Sequence, residues 1–278
     1  MRQALKSSTR GNRGLTESHP APIGGLNTVD GLADMKITDA LILDNLFPRT
    51  SDVTLRKGYS DHVTGITGNV ETVMQYASGS VRKLFAAATT SIYDASSSGA
   101  VGAAVVTGNT SARWQYTNFG TAGGQFLILC NGDDTPVNYN GSTWQTTPAI
   151  TGVTSSTLIH VNQFKQRLFF VEKNTLNAWY LPVSSIGGAA AKLDFSSLFS
   201  LGGHLMAMGT WTIDGGAGMD DYAVWITSEG EVAVYGGTDP SSSTTWGLVG
   251  IYRIGKPIGR RCMIKMSGDL LIVTYDGI

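Results

Sequence analysis

The chain has 278 residues, 42% of them hydrophobic and only 15% charged, with a formal net charge of -1. This excludes an intrinsically disordered chain and gives no footing to a globally basic nucleic-acid binder. No apolar run reaches the ~20 residues of a membrane span, and "MRQALKSSTRGNRG" has no signal-peptide apolar core.

The length accommodates one large β domain or two smaller ones. Abundant Gly, Ser and Thr suit an all-β protein with many turns. Cys130 and Cys262 sit inside the apolar runs "FLILCNG" and "RRCMIKM". They read as buried free thiols, which suits a reducing cytoplasm.

In chain order, Arg2, Lys6, Arg10 and Arg13 form a basic N-terminal arm. It is either solvated or docked on an acidic partner or on DNA phosphates. The run "KITDALILDNLFPR" predicts one short helix over residues 38–47. Thr38 caps it, Asp39 suits its positive end and Pro48 stops it. Ala40, Leu41, Leu43, Leu46 and Phe47 supply an apolar side. Two turns of helix are unstable alone, so the segment must dock. The following "SDVTLRKGYSDHV" predicts a strand.

From about residue 70 a unit recurs, with cores "VRKLFAAATTSIYDAS", "GQFLILCNGDDTPVNYNG", "QRLFFVEKNTLNAWYLP", "DYAVWITSEGEVAVYGG" and "GDLLIVTYDGI". Each is an apolar strand, a polar turn and a second strand, the complete ones ending near Tyr93, Tyr139, Tyr180 or Tyr235. Leu84, Phe126, Leu168, Ala223 and Leu270 recur at steps of about 42, 42, 55 and 47 residues, close to the ~40–50 of propeller blades. An extended segment precedes each core: "TVMQYAS", "ARWQYTN", "LIHVNQF", "LMAMGTW" and "RCMIKMS". Three or four antiparallel strands per unit is blade composition. The fold class expected is therefore all-β, a β-propeller-like platform of repeated antiparallel blades over residues 53–278, behind an N-terminal arm over residues 1–52. Leu168, Phe169, Phe170, Val224, Trp225, Leu271 and Val273 are expected in blade centres. The 55-residue step holds "SSIGGAAAKLDFSSLFSLGGH", with a brief helical turn expected over Ala189 to Lys192. The last unit stops within a hairpin, so a longer natural chain is expected.

Catalytic signatures are weak. His19, His62, His160 and His204 show no metal-ligand spacing. "SVRK" at Ser80–Lys83 lies in strand context, and "GIYRIGKP" has Pro257 where a phosphate loop needs a hydroxyl. The turns carrying Asp133, Asp134, Asp214, Asp220 and Asp221 offer calcium-type oxygens without EF-hand spacing. "NYNGSTW" departs from the sialidase Asp-box at Val137 and Tyr139. No enzymatic activity, cofactor or metal is expected.

"SHPAPIGGLNTVDGLADM", "LILDNLFPRTSDVTLRKGY" and the long run from Asp220 to Ile278 resemble virion proteins of tailed phages. The nearest class is the tail nozzle, or tail tubular protein B-like component, of short-tailed phages. That resemblance implies a homo-oligomeric ring, commonly a hexamer, below the head–tail adaptor. It also implies a channel through which viral DNA leaves without sequence-specific binding, contacts with tail fibres or spikes, and assembly into the virion tail in the host cytoplasm. Within that picture "VTLRKGY" completes a blade from the other end of the chain. The interface candidates are Arg2, Lys6, Arg10, Arg13, Leu41, Leu46, Phe47, Arg253, Lys256, Arg260 and Arg261. The last four, together with Lys265, are expected on a subunit interface, where Arg pairs with carboxylates. The first alternative is a glycan-binding or glycan-cleaving propeller in receptor recognition, with Trp114, Trp144, Trp179, Trp211, Trp225 and Trp246 as sugar platforms. A further alternative is a cellular propeller scaffold, against whose commonest type the absence of Trp-Asp repeats argues.

Overall fold

The computed structural model describes residues 18–214 and 219–278. The chain divides into two compact units after Ser60, rather than after Asp52.

In the first unit Gly25–Leu26 pairs in parallel with Asp39–Ala40, and Leu46–Pro48 pairs antiparallel with Val53–Leu55. The helix expected over residues 38–47 is not formed. Its backbone groups bond across the chain instead: Gly24 N–H donates to Thr38 C=O and Asn27 N–H to Ala40 C=O. Asn45 sits in the left-handed region at φ 57°, which interrupts any helix there. The Asp39 carboxylate, expected near the helix start, accepts from Asn27 Nδ2 at 2.9 Å. Val53–Leu55 takes Leu46–Pro48 as its ladder partner, and Arg56 N–H continues the hairpin to Asn45 C=O.

The second unit is a β-propeller-like succession of antiparallel meanders. Blade I comprises Val70–Ser78, Val81–Ala88 and Ser91–Asp94. Blade II comprises Gln115–Thr121, Gly124–Cys130, Val137–Tyr139 and Trp144–Gln145. Blade III comprises Leu158–Phe164, Arg167–Glu172, Asn177–Tyr180 and Ala191–Asp194. Blade IV comprises Leu205–Asp214, Met219–Thr227, Glu231–Gly237 and Trp246–Arg253. Blade V is the hairpin Met263–Met266 with Asp269–Ile272. The only helical element among the described residues is a 3-10 turn, Ser155–Thr157. Ala189 and Ala191–Asp194 are extended, not helical, because both ladder onto neighbouring strands.

The apolar runs are explained by burial on both faces of blades II to IV. Along Gly124–Cys130, Leu127 and Leu129 face the core between blades I and II, with Met74, Phe85 and Trp114. Ile128 and Cys130 face the core shared with Leu168 and Phe170 of blade III. Phe169 and Val171 turn the other way, toward Trp225 and Trp246 of blade IV. Val224 and Ile226 pack toward Cys262, with Leu270 and Ile272 at the margin. A strand alternates faces at every residue, so successive apolar residues serve successive inter-blade cores. Of the residues expected in blade centres, Leu168, Phe169, Phe170, Val224 and Trp225 are buried. Leu271 and Val273 are only half-buried, because blade V presents one hairpin rather than a full sheet.

Two further devices recur. The first two strands of blades I, II, III and V are joined by two-residue turns, read from the pairs Ser78–Val81, Thr121–Gly124, Phe164–Arg167 and Met266–Asp269. In blade III Lys165 and Gln166 both take positive φ, 45° and 60°, the backbone that matches strand twist in a tight hairpin. Second, Val63–Thr64 pairs in parallel with Gly99–Ala100, as Ile150–Thr151 does with Gly188–Ala189. The runs "VTGIT" from Val63 and "ITGVT" from Ile150 thus do the same job before blades I and III. Gly65 and Gly152 sit at φ 83° and 87° there. A Cβ on Gly152 would lie 2.7 Å from Ala190 O, so the glycine is required twice over.

Candidate functional site

The first strands of blades II to V surround a cavity of about 710 Å³. Its wall combines Asn162 and Gln163 of blade III, Gln115 and Tyr116 of blade II, and Lys265 of blade V. Blades III and IV are tied together at its base. His160 Nε2 donates to Met208 O at 2.8 Å, and Asn162 Nδ2 donates to the same oxygen at 3.0 Å. His160 is buried, and burial pushes its pKa down to about 4 against the opposing hydrogen bond to Met208, with the nearby Arg260 charge pushing the same way as burial. The ring is therefore neutral at pH 7, and its Nδ1 has no partner among the described residues.

A polar chain crosses three blades at the mouth. Lys165 Nζ donates to Asp221 Oδ2 at 2.9 Å, Thr212 Oγ1 donates to Asp221 Oδ1 at 2.8 Å, and Lys265 Nζ donates to Thr212 Oγ1 at 3.1 Å. The Lys165 hydrogen bond, then that of Thr212, hold the Asp221 carboxyl below its ordinary range despite partial burial. Asp221 neutralises Lys165. Among the described residues Lys265 makes no direct ion pair, although its charge also helps to hold the Asp221 carboxyl down, and the side chains of Gln115, Gln163 and Tyr116 make no hydrogen bond to protein. The cavity thus offers two lysines against the single Asp221 carboxylate, several neutral donors and acceptors, and an apolar margin from Phe164, Met263 and Leu270.

The interface candidates are not brought together here. Arg2, Lys6, Arg10 and Arg13 lie outside the described residues. Leu41 and Phe47 are 53% and 57% exposed, while Leu46 is half-buried. Arg253 donates to Ser200 Oγ at 2.7 Å and lies 3.9 Å from Glu231, and Lys256 pairs with Glu229. Arg260 donates to Asn131 O at 3.0 Å. Arg261 donates to Glu71 O, Thr72 Oγ1 and Trp114 O at 2.8, 2.6 and 3.0 Å. Within the chain Arg260 and Arg261 thus bond to neutral oxygens of blades I and II. Carbonyls at blade ends lack ladder partners, and a guanidinium carries enough donors to satisfy several at once.

The acidic turns are structural. Asp134 accepts from Thr110 N–H, Ser111 N–H and Asn131 Nδ2, and Asp133 pairs with Lys173 at 2.7 Å. The side chains of Asp214 and Asp220 lie outside the described residues. No group of three or more His, Cys, Asp or Glu able to hold a metal occurs among the described residues. "NYNGSTW" is an Asx turn in which Asn140 Oδ1 accepts from Ser142 and Thr143 N–H. Trp114, Trp225 and Trp246 are buried, and Trp144, Trp179 and Trp211 are half-buried against core clusters. Burial pushes the Cys130 thiol far up and that of Cys262 up to about 11, so neither is a nucleophile.

No family model matches the chain, and no curated protein sequence matches it. Among solved structures it is similar to BBS1N in complex with ARL6DN, from a crystal soaked with mercury. The TM-score is 0.55 at 14% identity, covering 81% of this chain and 69% of that one. A crystal of the same complex soaked with lead matches with TM-score 0.51 and 13% identity, over 81% of this chain and 65% of that one. The chain therefore spans about two thirds of the length of these neighbours. At such low identity the likeness shows the fold alone: the chain is β-propeller-like.

Proposed function

We propose that the chain is a structural virion protein, a tail nozzle subunit that forms a ring below the head–tail adaptor and lines a channel for DNA ejection. The observation that supports this best is the surface of the first unit. Leu26, Val29, Leu32, Ile37, Ile42 and Leu55 are 57% to 92% exposed within a stretch of about thirty residues. A monomer in water rarely displays so many large apolar side chains so close together in sequence, and a covering partner resolves the cost. The sequence resemblance names that partner as a second copy or the adaptor. On this reading the protein has no catalytic role, and residues 18–60 with their basic arm serve assembly. Mass photometry and negative-stain imaging test it. A ring with an axial channel is expected, and Phe47→Asp with Leu41→Asp shifts the population toward monomer. A wild-type protein that stays monomeric at every concentration refutes the ring.

A second reading, glycan binding, draws on one observation: the polar axial cavity. Its tryptophan platforms are spent on the core, so any sugar contacts come from the cavity wall instead.

A further inference from the structure

The cavity wall has a chemistry that selects among ligands. An apolar ligand would strand the amides of Gln115 and Gln163 and the charges at the mouth, since a buried polar group without a partner is costly. A simple inorganic anion would use Lys265 and leave most of about 710 Å³ unfilled. A second basic group on the ligand would meet Lys165 and Lys265 from both sides. What fits is a molecule with one negative group for Lys265 and several hydroxyls for the amides and the Tyr116 hydroxyl. Tyr116, 38% exposed, also offers a ring surface to the carbon face of such a ligand. The volume falls in the range of ordinary small-molecule sites.

We propose that the axial cavity between blades II and V binds a hydroxyl-rich carboxylic acid of the uronic-acid class, with Lys265 as the anchor for its carboxylate. Lys165 is already held by Asp221. Lys265 is the better anchor because its ammonium donates only to the Thr212 hydroxyl and keeps two donors free. This inference rests on the glycan-binding reading and is independent of the ring.

Ligand-observed NMR and calorimetric titration with glucuronate, glucose and acetate at constant ionic strength test it. Glucuronate is expected to bind saturably and more tightly than either glucose or acetate. Lys265→Met should weaken glucuronate about tenfold, the loss of one charge-assisted contact, and leave glucose unchanged. Lys265 is exposed, so the variant should fold as wild type by circular dichroism, and Lys192→Met serves as a remote exposed control. If glucose binds as tightly as glucuronate, glycan binding stands and the acid preference falls. If neither sugar binds, both fall. If Lys265→Met binds glucuronate as wild type does, the anchor assignment is overturned.

Discussion

Glu231 is 2% exposed and opens the third strand of blade IV. Its carboxylate accepts from Ser200 N–H at 3.1 Å, Ser200 Oγ at 2.8 Å and Leu201 N–H at 2.7 Å, which staples the long insertion of blade III to blade IV. Glu231→Ala removes the acceptor and leaves two backbone donors and a hydroxyl to find water. Each stranded buried donor costs about 1–3 kcal/mol. Ser200 and Leu201 are themselves exposed, which places each near the low end. A total loss of about 3 kcal/mol is expected, and Glu231→Gln, which keeps one acceptor and the side-chain volume, should lose about half of that. The assay is urea unfolding followed by tryptophan fluorescence, read as a shift in midpoint at constant slope. Burial pushes the Glu231 carboxyl up, but the bonds from Leu201 and Ser200 and the Arg253 charge outweigh it, and the group sits below its ordinary value. A depressed folded pKa contributes stability that is present above the ordinary carboxylate pKa and is lost as pH falls through the folded value. The gap between wild type and Glu231→Gln should therefore be full at pH 6–7 and close below about pH 4. A cost under about 1 kcal/mol for Glu231→Ala, or a gap that widens on acidification, refutes the reasoning.

Two other outcomes are expected. Phe169 is 1% exposed and lies within 6.3 Å, centroid to centroid, of the rings of Phe164, Tyr180, Trp225 and Trp246, so Phe169→Ala should cost about 3–5 kcal/mol in the same unfolding assay. Arg261→Lys should not rescue Arg261→Ala, because one ammonium cannot span Glu71 O, Thr72 Oγ1 and Trp114 O. Both variants should increase hydrogen exchange at Thr72 and Trp114, and an unchanged exchange pattern would mean that the guanidinium carries no structural load.

What the amino-acid order determined by itself was the blade. "FLILC", "RLFFV" and "YAVWI" are unbroken apolar runs of strand length, and a strand buried on both faces needs that composition and little else. The recurrence of such runs with polar turns between them therefore announced stacked antiparallel sheets. The paired runs "VTGIT" and "ITGVT" were equally legible as letters, but their role was not, because a two-residue parallel pair depends on the chain returning at Gly99 and Gly188. The segment over residues 38–47 misled for the opposite reason. Two turns of helix gain so few hydrogen bonds that distant partners at Gly24, Asn27 and Val53–Leu55 outweigh local propensity. Arg260 and Arg261 were visible as charges, yet charge alone did not say that blade-end carbonyls of Asn131, Glu71 and Trp114 would take them. The cavity was the least legible feature. Gln115, Asn162, Asp221 and Lys265 are separated by whole blades in the chain, each looks like an ordinary polar strand or turn residue, and only the stacking of neighbouring blades brings them to a common wall.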